Sequence, residues 1–170
     1  MAFPKTNQPH QDVVYTPADL AKSIIEHFQP AGRILDPARG GGAFFDALPD
    51  GTDWCELAEG RDFMDYDKAV DWIITNPPWS RLRQFYAKAF ELPATNIVYL
   101  HNINGITTKA RIRDIEAAGY GIREILCVDT PKSFPQTGFQ LAAIHTQRGY
   151  RGPLYFTRLK NEQLQEDWNK

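Results

Sequence analysis

Short apolar runs alternate with amphipathic segments along nearly the whole sequence, and this alternation limits the fold more than any other feature. Apolar runs of about four to eight residues bounded by turn residues are typical of buried strands. Strands separated by helical segments favour a mostly parallel sheet that is covered on both faces. The sequence therefore predicts an α/β, Rossmann-like sheet of seven strands, mostly parallel, with an antiparallel hairpin at one edge. The predicted strands are 33–37, 52–57, 70–75, 96–101, 122–128, 140–147 and 153–159.

Four segments show the helical repeat or begin directly after a turn. Before the first of them, Thr16 has the side chain of an N-cap, and Pro17 suits the first helical position. Apolar residues then recur three and four positions apart, as expected for a helix with one buried face. The predicted helices are 17–29, 43–48, 80–92 and 107–118.

The length of 170 residues is that of one domain, so we expect a single domain over 1–170 with polar tails at 1–12 and 160–170. No apolar run reaches the roughly 20 residues that cross a bilayer, and the amino terminus lacks the apolar core of a signal peptide. We therefore expect a cytoplasmic protein without a membrane partner. Cys55 and Cys127 lie in apolar runs without metal-ligand spacing, which predicts reduced core cysteines and no metal site.

A glycine triplet, Gly40 to Gly42, follows the first predicted strand and precedes a helix. Glycines let a ligand approach the backbone closely, and the carboxyl ends of the strands are where such folds bind nucleotide-like ligands. The spacing matches neither the dinucleotide nor the Walker phosphate motif. Asp36 before the turn suits a cationic ligand group, although the segment could also be a plain tight turn. Glu56, about 20 residues further on, lies where an acid accepts hydrogen bonds from ribose hydroxyls.

The segment Asn76-Pro77-Pro78-Trp79 ends the third predicted strand in a way that packing alone does not require. The two prolines stop the strand and fix a rigid corner. The Asn76 side-chain oxygen and the Pro77 carbonyl then form a pair of neutral acceptors, suited to an amino group on an aromatic ring or acyl carbon. Trp79 can stack on the ring that carries this amine. The alternative is an ordinary Asn-Pro turn with a tryptophan that caps the core.

Together, D-P-A-R-G-G-G-A-F and I-I-T-N-P-P-W resemble the motifs of class I S-adenosylmethionine-dependent amino-methyltransferases, in particular those acting on adenine N6. The resemblance extends from about Val14 to about His145. It implies S-adenosyl-L-methionine as the cofactor and assigns catalysis to Asn76, Pro77, Pro78 and Trp79. The residues that it assigns to the cofactor are Tyr15, Thr16, Pro17, Asp36, Pro37, Ala38, Gly40, Glu56, Asp62, Phe63 and Asn76.

Within this resemblance, the Tyr-Thr-Pro segment closes over the methionine end of the cofactor, and Asp62 with Phe63 contacts adenine. Phe134, in a late loop, stacks on the target base opposite Trp79, with Phe139 as the alternative. Two departures from the family pattern concern the cofactor side. Arg39 stands where a small residue is usual, and Glu56 is separated from Asp62 by only five residues, where the family commonly inserts a helix and a strand.

The expected substrate is adenine in DNA, extruded from the duplex into the pocket. The net charge of −2 opposes nucleic-acid binding through a broad basic surface but is compatible with a local basic rim. In the segment 107–113 the basic residues could equally be the solvated side of a helix. The predicted phosphate-contacting residues are Arg81, Arg83, Lys109, Arg111 and Lys132, with Arg113 as a further candidate.

Three other functions remain compatible with the motifs. They are methylation of adenine N6 in RNA, methylation of protein glutamine, and a non-catalytic cofactor-binding subunit that activates a partner. The order of the motifs resembles that of DNA enzymes in which a target-recognition domain follows. Only about 25 residues follow His145, so we expect no such domain and infer that the chain could dimerise or use a specificity partner.

Overall fold

The computed structural model describes residues 14–159 of the chain, so the tails predicted at 1–12 and 160–170 lie outside the described residues. Within that range the strands form one sheet of seven. Each predicted strand is found, most of them shortened by a few residues at their ends. The strands are Ile34–Asp36 (β1), Asp53–Trp54 (β2), Trp72–Thr75 (β3), Asn96–Asn102 (β4), Tyr120–Cys127 (β5), Leu141–Arg148 (β6) and Tyr155–Arg158 (β7).

The strand order is β2-β1-β3-β4-β6-β5-β7. Neighbours from β2 to β4 are parallel, β6 runs antiparallel to both β4 and β5, and β7 is parallel to β5. This confirms the predicted Rossmann-like, mostly parallel sheet with an antiparallel pair toward one edge. Because six strands share one direction, the segments that follow β1, β2, β3, β4 and β5 all leave the same edge of the sheet.

Helices cover both faces of the sheet, as the alternation of residues along β4 requires. Ile97 and Tyr99 belong to one apolar cluster, and Val98 and Leu100 belong to the cluster on the opposite face. The first cluster includes residues of the third and fifth helices, and the second includes residues of the first two. The helices are Ala18–Phe28 (α1), Ala43–Ala47 (α2), Leu82–Glu91 (α3), Asn104–Thr107 (α4) and Lys109–Ala117 (α5).

The start of α1 differs from the prediction by one residue. Pro17 is the N-cap, with extended ψ, and its position carries no side-chain capping bond. The Thr16 hydroxyl, predicted to cap the helix, accepts a hydrogen bond from the side chain of Asn76 instead. The capping prediction is therefore wrong, because the Thr16 hydroxyl bonds Asn76 in a tertiary contact and does not bond the first backbone N–H groups of α1.

Cys55 and Cys127 are both buried and free, in agreement with the prediction of core cysteines. Among residues 14–159, none of the helices has both the length and the apolarity that a bilayer span needs. In the same part of the chain, no three His, Cys, Asp or Glu side chains gather as a metal ion would require.

Candidate active site

The amide of Asn76 joins two distant segments at the carboxyl edge of the sheet. Asn76 follows β3 directly, and its Nδ2 donates to the Val14 carbonyl and to the Thr16 Oγ1, each at 3.2 Å. The segment before α1 is thereby held across the corner that ends β3. The structure thus brings together the Tyr-Thr-Pro segment and the Asn-Pro-Pro-Trp corner, which lie about 60 residues apart in sequence.

The other polar atom of the same amide has no partner. Asn76 Oδ1 is buried, and within the described residues nothing donates a hydrogen bond to it. A buried acceptor without a donor costs about 1–3 kcal/mol, and such atoms are uncommon in folded proteins. Two donated bonds hold this amide in place while its oxygen stays unused, so the atom is a candidate for accepting a hydrogen bond from a ligand.

The turn after β1 contacts the same N-terminal segment. Gly40 and Gly42 have φ values of 53° and 92°, in the left-handed region that favours glycine. At Gly41 the reason for glycine is space, because an added Cβ would stand 2.8 Å from Cδ1 of the Tyr15 ring. Tyr15, which is 62% exposed, therefore lies across the glycine turn. Three predicted parts of the site therefore meet at one edge of the sheet: the Tyr-Thr-Pro segment, the glycine turn and the Asn-Pro-Pro-Trp corner.

Glu56 fastens the glycine turn to the end of β2. Its Oε2 accepts from the backbone N–H of Gly40 at 2.7 Å, and its Oε1 accepts from the N–H of Ala58 at 3.2 Å. Each carboxylate oxygen can accept a further bond, so this role leaves capacity for ligand hydroxyls. The predicted ribose-binding acid therefore lies beside the glycine turn, at the edge of the sheet where β1 and β2 end.

Asp36 is completely buried at the end of β1. Its Oδ1 accepts from Thr75 Oγ1 at 2.7 Å and from the Ala38 N–H at 3.2 Å. Its Oδ2 is buried without a donor among the described residues. Burial raises the pKa of this carboxyl from 3.8 to about 7, against the opposing effect of the Thr75 and Ala38 bonds. Sequence reasoning did not single out Thr75, although its position just before the corner could have marked it.

Asp62 and Phe63 have different surroundings from those predicted. Asp62 caps a short 3-10 turn, with its Oδ1 accepting from the Met64 N–H at 3.0 Å. The ring of Phe63 is only 2% exposed and lies 5.1 Å from that of Phe85 in α3. The prediction that this ring covers the adenine is therefore corrected, because packing against α3 places it in the core.

Arg39 has a structural explanation that no sequence motif provided. Its guanidinium donates two hydrogen bonds to the Glu59 carboxylate, at 2.6 and 2.7 Å, and lies 4.0 Å from the ring centroid of Trp54. Arg61 contacts the same indole at 3.9 Å. These contacts connect the glycine turn with β2 and the short loop that follows it.

Trp79 and Phe134 touch each other instead of enclosing a slot. Their ring centroids are 6.1 Å apart at an interplanar angle of 68°, and Phe134 is 2% exposed. Trp79 Nε1 also donates to the Leu100 carbonyl at 3.1 Å. A base cannot lie between two rings in edge-to-face contact, so the assignment of Phe134 as the second stacking residue is wrong for this conformation. Phe139, the predicted alternative, is 53% exposed.

The loop between β5 and β6 contains a groove of about 380 Å³ at the same edge of the sheet. Phe139 is one of the residues that line it. Asn102, at the end of β4, donates from Nδ2 to Thr137 Oγ1 at 3.0 Å and so fixes the loop to the sheet. Sequence reasoning singled out Phe134, Phe139 and Lys132 in this loop but not the polar residues that line the groove, because they form no recognisable motif. The lining residues are Val128, Asp129, Thr130, Gln136, Thr137, Gly138, Phe139 and Gln140.

The predicted basic rim is only partly available. Lys109 and Lys132 are exposed, and Arg83 is exposed although it pairs with Asp114 at 3.3 Å. Arg81 donates to Gln84 at 2.9 Å. Arg111 is half-buried with its guanidinium 5.0 Å from the centroid of the Tyr86 ring, so it packs against α3 instead of extending toward a phosphate. The prediction for Arg111 is corrected on that ground.

No family model matches this sequence, and no curated protein sequence matches it significantly. Solved structures do match. A protein from Pyrococcus horikoshii, provisionally described as an RNA methyltransferase, superimposes with a TM-score of 0.61 at 16% identity over 85% of this chain and 91% of that one. A provisionally described class I S-adenosylmethionine-dependent methyltransferase from Listeria monocytogenes gives a TM-score of 0.61 at 12% identity, over 96% and 72% of the two chains.

The M protein of the type I restriction enzyme EcoKI matches with a TM-score of 0.60 at 16% identity, over 88% of this chain and 49% of that one. The chain spans about half the length of this restriction protein. At these identities the likeness establishes the fold alone, a Rossmann-like sheet that this chain shares with the three proteins.

Proposed function

We propose that this protein is an S-adenosyl-L-methionine-dependent methyltransferase that transfers a methyl group to the N6 amine of adenine in DNA. The observation that carries the proposal is the buried Oδ1 of Asn76 on a proline-stiffened corner, to which no residue of 14–159 donates a hydrogen bond. The methyltransferase fold and the likeness to a restriction-enzyme M protein support it.

The residues around the glycine turn suit this cofactor. The Tyr15 ring lies over Gly41, where an added Cβ would meet it, and Glu56 beside the turn can accept bonds from ribose hydroxyls. The buried Asp36 has one oxygen to which no described residue donates, and it suits a group that bears positive charge, since such a charge beside it favours the ionised carboxylate despite the raised pKa. Bound there, the cofactor supplies an electrophilic methyl group on a sulfonium. Asp62 and the backbone near Phe63 remain our candidates for the adenine contact.

The corner after β3 offers hydrogen-bond acceptors to the target nitrogen. An exocyclic amine is a poor nucleophile because its lone pair is delocalised into the ring. Asn76 Oδ1 and the Pro77 carbonyl accept its two N–H bonds, which favours a pyramidal nitrogen and stabilises the positive charge that develops on it. Pro77 and Pro78 keep the two oxygens in fixed positions, so that little reorganisation accompanies the reaction. No general base is required before the methyl group is transferred, and the methylated nitrogen then loses one proton to water, which restores a neutral amine.

Trp79 and Phe139 are the aromatic side chains that we assign to the flipped base. Trp79 is partly exposed beside the corner, and Phe139 is exposed in the groove of the β5–β6 loop. Lys132 in the same loop and Lys109 and Arg83 near α5 are exposed and suited to phosphate contacts. So few cations predict weak binding that depends strongly on salt. Sequence recognition would then come from a second copy or a separate specificity partner.

Labelled cofactor tests the choice of substrate directly. The protein is incubated with methyl-labelled S-adenosylmethionine and, separately, with duplex DNA, structured RNA or a protein mixture. We expect label in DNA. Label confined to RNA or to protein rejects the DNA assignment. The absence of label in all three, with cofactor binding retained, favours a cofactor-binding subunit that activates a partner.

Glu56→Gln should weaken cofactor binding about 10- to 100-fold, since a hydrogen bond to a charged group contributes about 1.5–3 kcal/mol. The glutamine retains one acceptor oxygen where the carboxylate bonds both Gly40 and Ala58. Isothermal titration calorimetry with S-adenosylhomocysteine measures the change. Glu116→Gln, an exposed residue on α5, is the matched control and should bind as the wild type does. Unchanged affinity in Glu56→Gln removes this residue from the cofactor site.

A further inference from the structure

The side chain of asparagine has two polar ends of nearly the same shape, and only one of them can do what the proposed reaction requires. An oxygen that faces the substrate accepts an N–H from the target amine, whereas an NH₂ group in its place opposes that amine with another donor. Something must therefore fix which end of the Asn76 amide faces the crevice. The two prolines that follow fix the backbone, but they do not fix rotation of this side-chain amide.

The N-terminal segment supplies the missing constraint. Nδ2 of Asn76 has two acceptors, the Val14 carbonyl and Thr16 Oγ1, and both distances are 3.2 Å. Turning the amide over would place Oδ1 against the carbonyl oxygen of Val14, with neither atom able to donate. The Thr16 hydroxyl can donate as well as accept and would bond either end of the amide, so the Val14 carbonyl selects the observed orientation. The observed orientation leaves Oδ1 as the buried atom to which no donor in the described part of the chain bonds.

We propose that Thr16 is a positioning residue, whose hydroxyl holds the Asn76 amide in the orientation that the Val14 carbonyl selects, with the amide oxygen toward the target amine. This inference rests on the proposed function and deepens it. The hydroxyl is available for the task because α1 begins with Pro17 as N-cap and uses no side-chain capping bond. The contact through which Thr16 would act is its bond to Asn76, and Val14 contributes through its backbone, which substitution leaves in place.

Thr16→Val keeps the shape of the side chain and removes the hydroxyl. One net hydrogen bond is lost, about 1 kcal/mol, so the single-turnover rate of methyl transfer at saturating cofactor should fall roughly 5- to 10-fold. Cofactor affinity, measured by calorimetry, should stay within about threefold. Thr16→Ser restores the hydroxyl and should recover most of the rate. Thr52→Val, in the turn before β2 at the opposite edge, is the matched control and should transfer at the wild-type rate.

A second measurement does not depend on activity. In a ¹⁵N spectrum, the side-chain NH₂ protons of Asn76 should exchange slowly with solvent in the wild type and faster in Thr16→Val. If the wild type methylates DNA while Thr16→Val transfers equally fast, the proposed function stands and the positioning role is overturned. If the wild type methylates nothing, the proposed function fails. In that case the proton exchange rates alone test the role of Thr16, and equal rates in the two proteins would show that its hydroxyl does not hold the Asn76 amide.

Discussion

Asn76→Ala should lower the rate of methyl transfer roughly 10²- to 10³-fold, the loss expected when one preorganised hydrogen-bonding group is removed from a developing charge. Cofactor affinity should change by no more than about threefold, because the ribose acid and the glycine turn lie on other strands. Single-turnover transfer to duplex DNA and calorimetry with S-adenosylhomocysteine measure the two quantities. A large loss of transfer rate with little change in cofactor affinity assigns the corner to the methyl-transfer step.

Asn76→Asp is the informative companion variant. It keeps an oxygen at the position of Oδ1 but loses the two bonds that Nδ2 donates to Val14 and Thr16. Its transfer rate should lie between those of the wild type and Asn76→Ala. Wild-type transfer by Asn76→Ala would exclude this side chain from the mechanism, whereas a large loss of cofactor affinity would show that the substitution disturbs the pocket.

Asp36→Asn should change how stability depends on pH. In the unfolded chain this carboxyl titrates near 3.8, and burial raises its pKa in the folded protein to about 7. Between those values the folded protein holds a proton that the unfolded chain has released, so rising pH favours unfolding. The stability present below about pH 4 is lost by about pH 7, and the difference amounts to about 4 kcal/mol. Asparagine does not titrate, so this loss should be absent from the variant.

Urea denaturation at about pH 4 and at about pH 8 measures the effect as a difference between the two proteins. The comparison is necessary because burial lowers the pKa of His101 and of His145 to about 4, which acts in the opposite direction. Both histidines are present in wild type and variant, and their contributions cancel. Asp50→Asn, an exposed residue in the turn before β2, should behave as the wild type does. Parallel pH profiles for Asp36→Asn and wild type would contradict the burial of an ionisable carboxyl.

The arrangement of strands and helices could be predicted from sequence because each element carries its own periodicity. Val98 and Leu100 alternate with Ile97 and Tyr99 along β4, and this pattern sets which residues face each helical layer. The corner at Asn76 was equally visible, since two prolines after an apolar run have a direct steric consequence. Both signals are local in the sequence, and both features are found in the structure.

The side chains that line the crevice were harder to predict, because their placement depends on contacts between distant segments. Phe134 and Phe139 are five residues apart in one loop, and nothing local distinguishes the buried ring from the exposed one. Thr16 has the sequence pattern of a helix cap, yet its hydroxyl bonds a residue 60 positions away. The role of Arg39 could not be predicted from a motif, because it depends on contacts with Trp54 and Glu59.

A crystal structure with S-adenosylhomocysteine bound tests the central claim most directly, because it locates the sulfur that carries the methyl group in the cofactor. The account predicts that the ligand lies over the glycine turn with its ribose hydroxyls on Glu56. The sulfur should face Asn76 Oδ1 and the Pro77 carbonyl across a space open toward Trp79. A sulfur directed away from that corner, or a ligand bound elsewhere, would contradict the proposed mechanism.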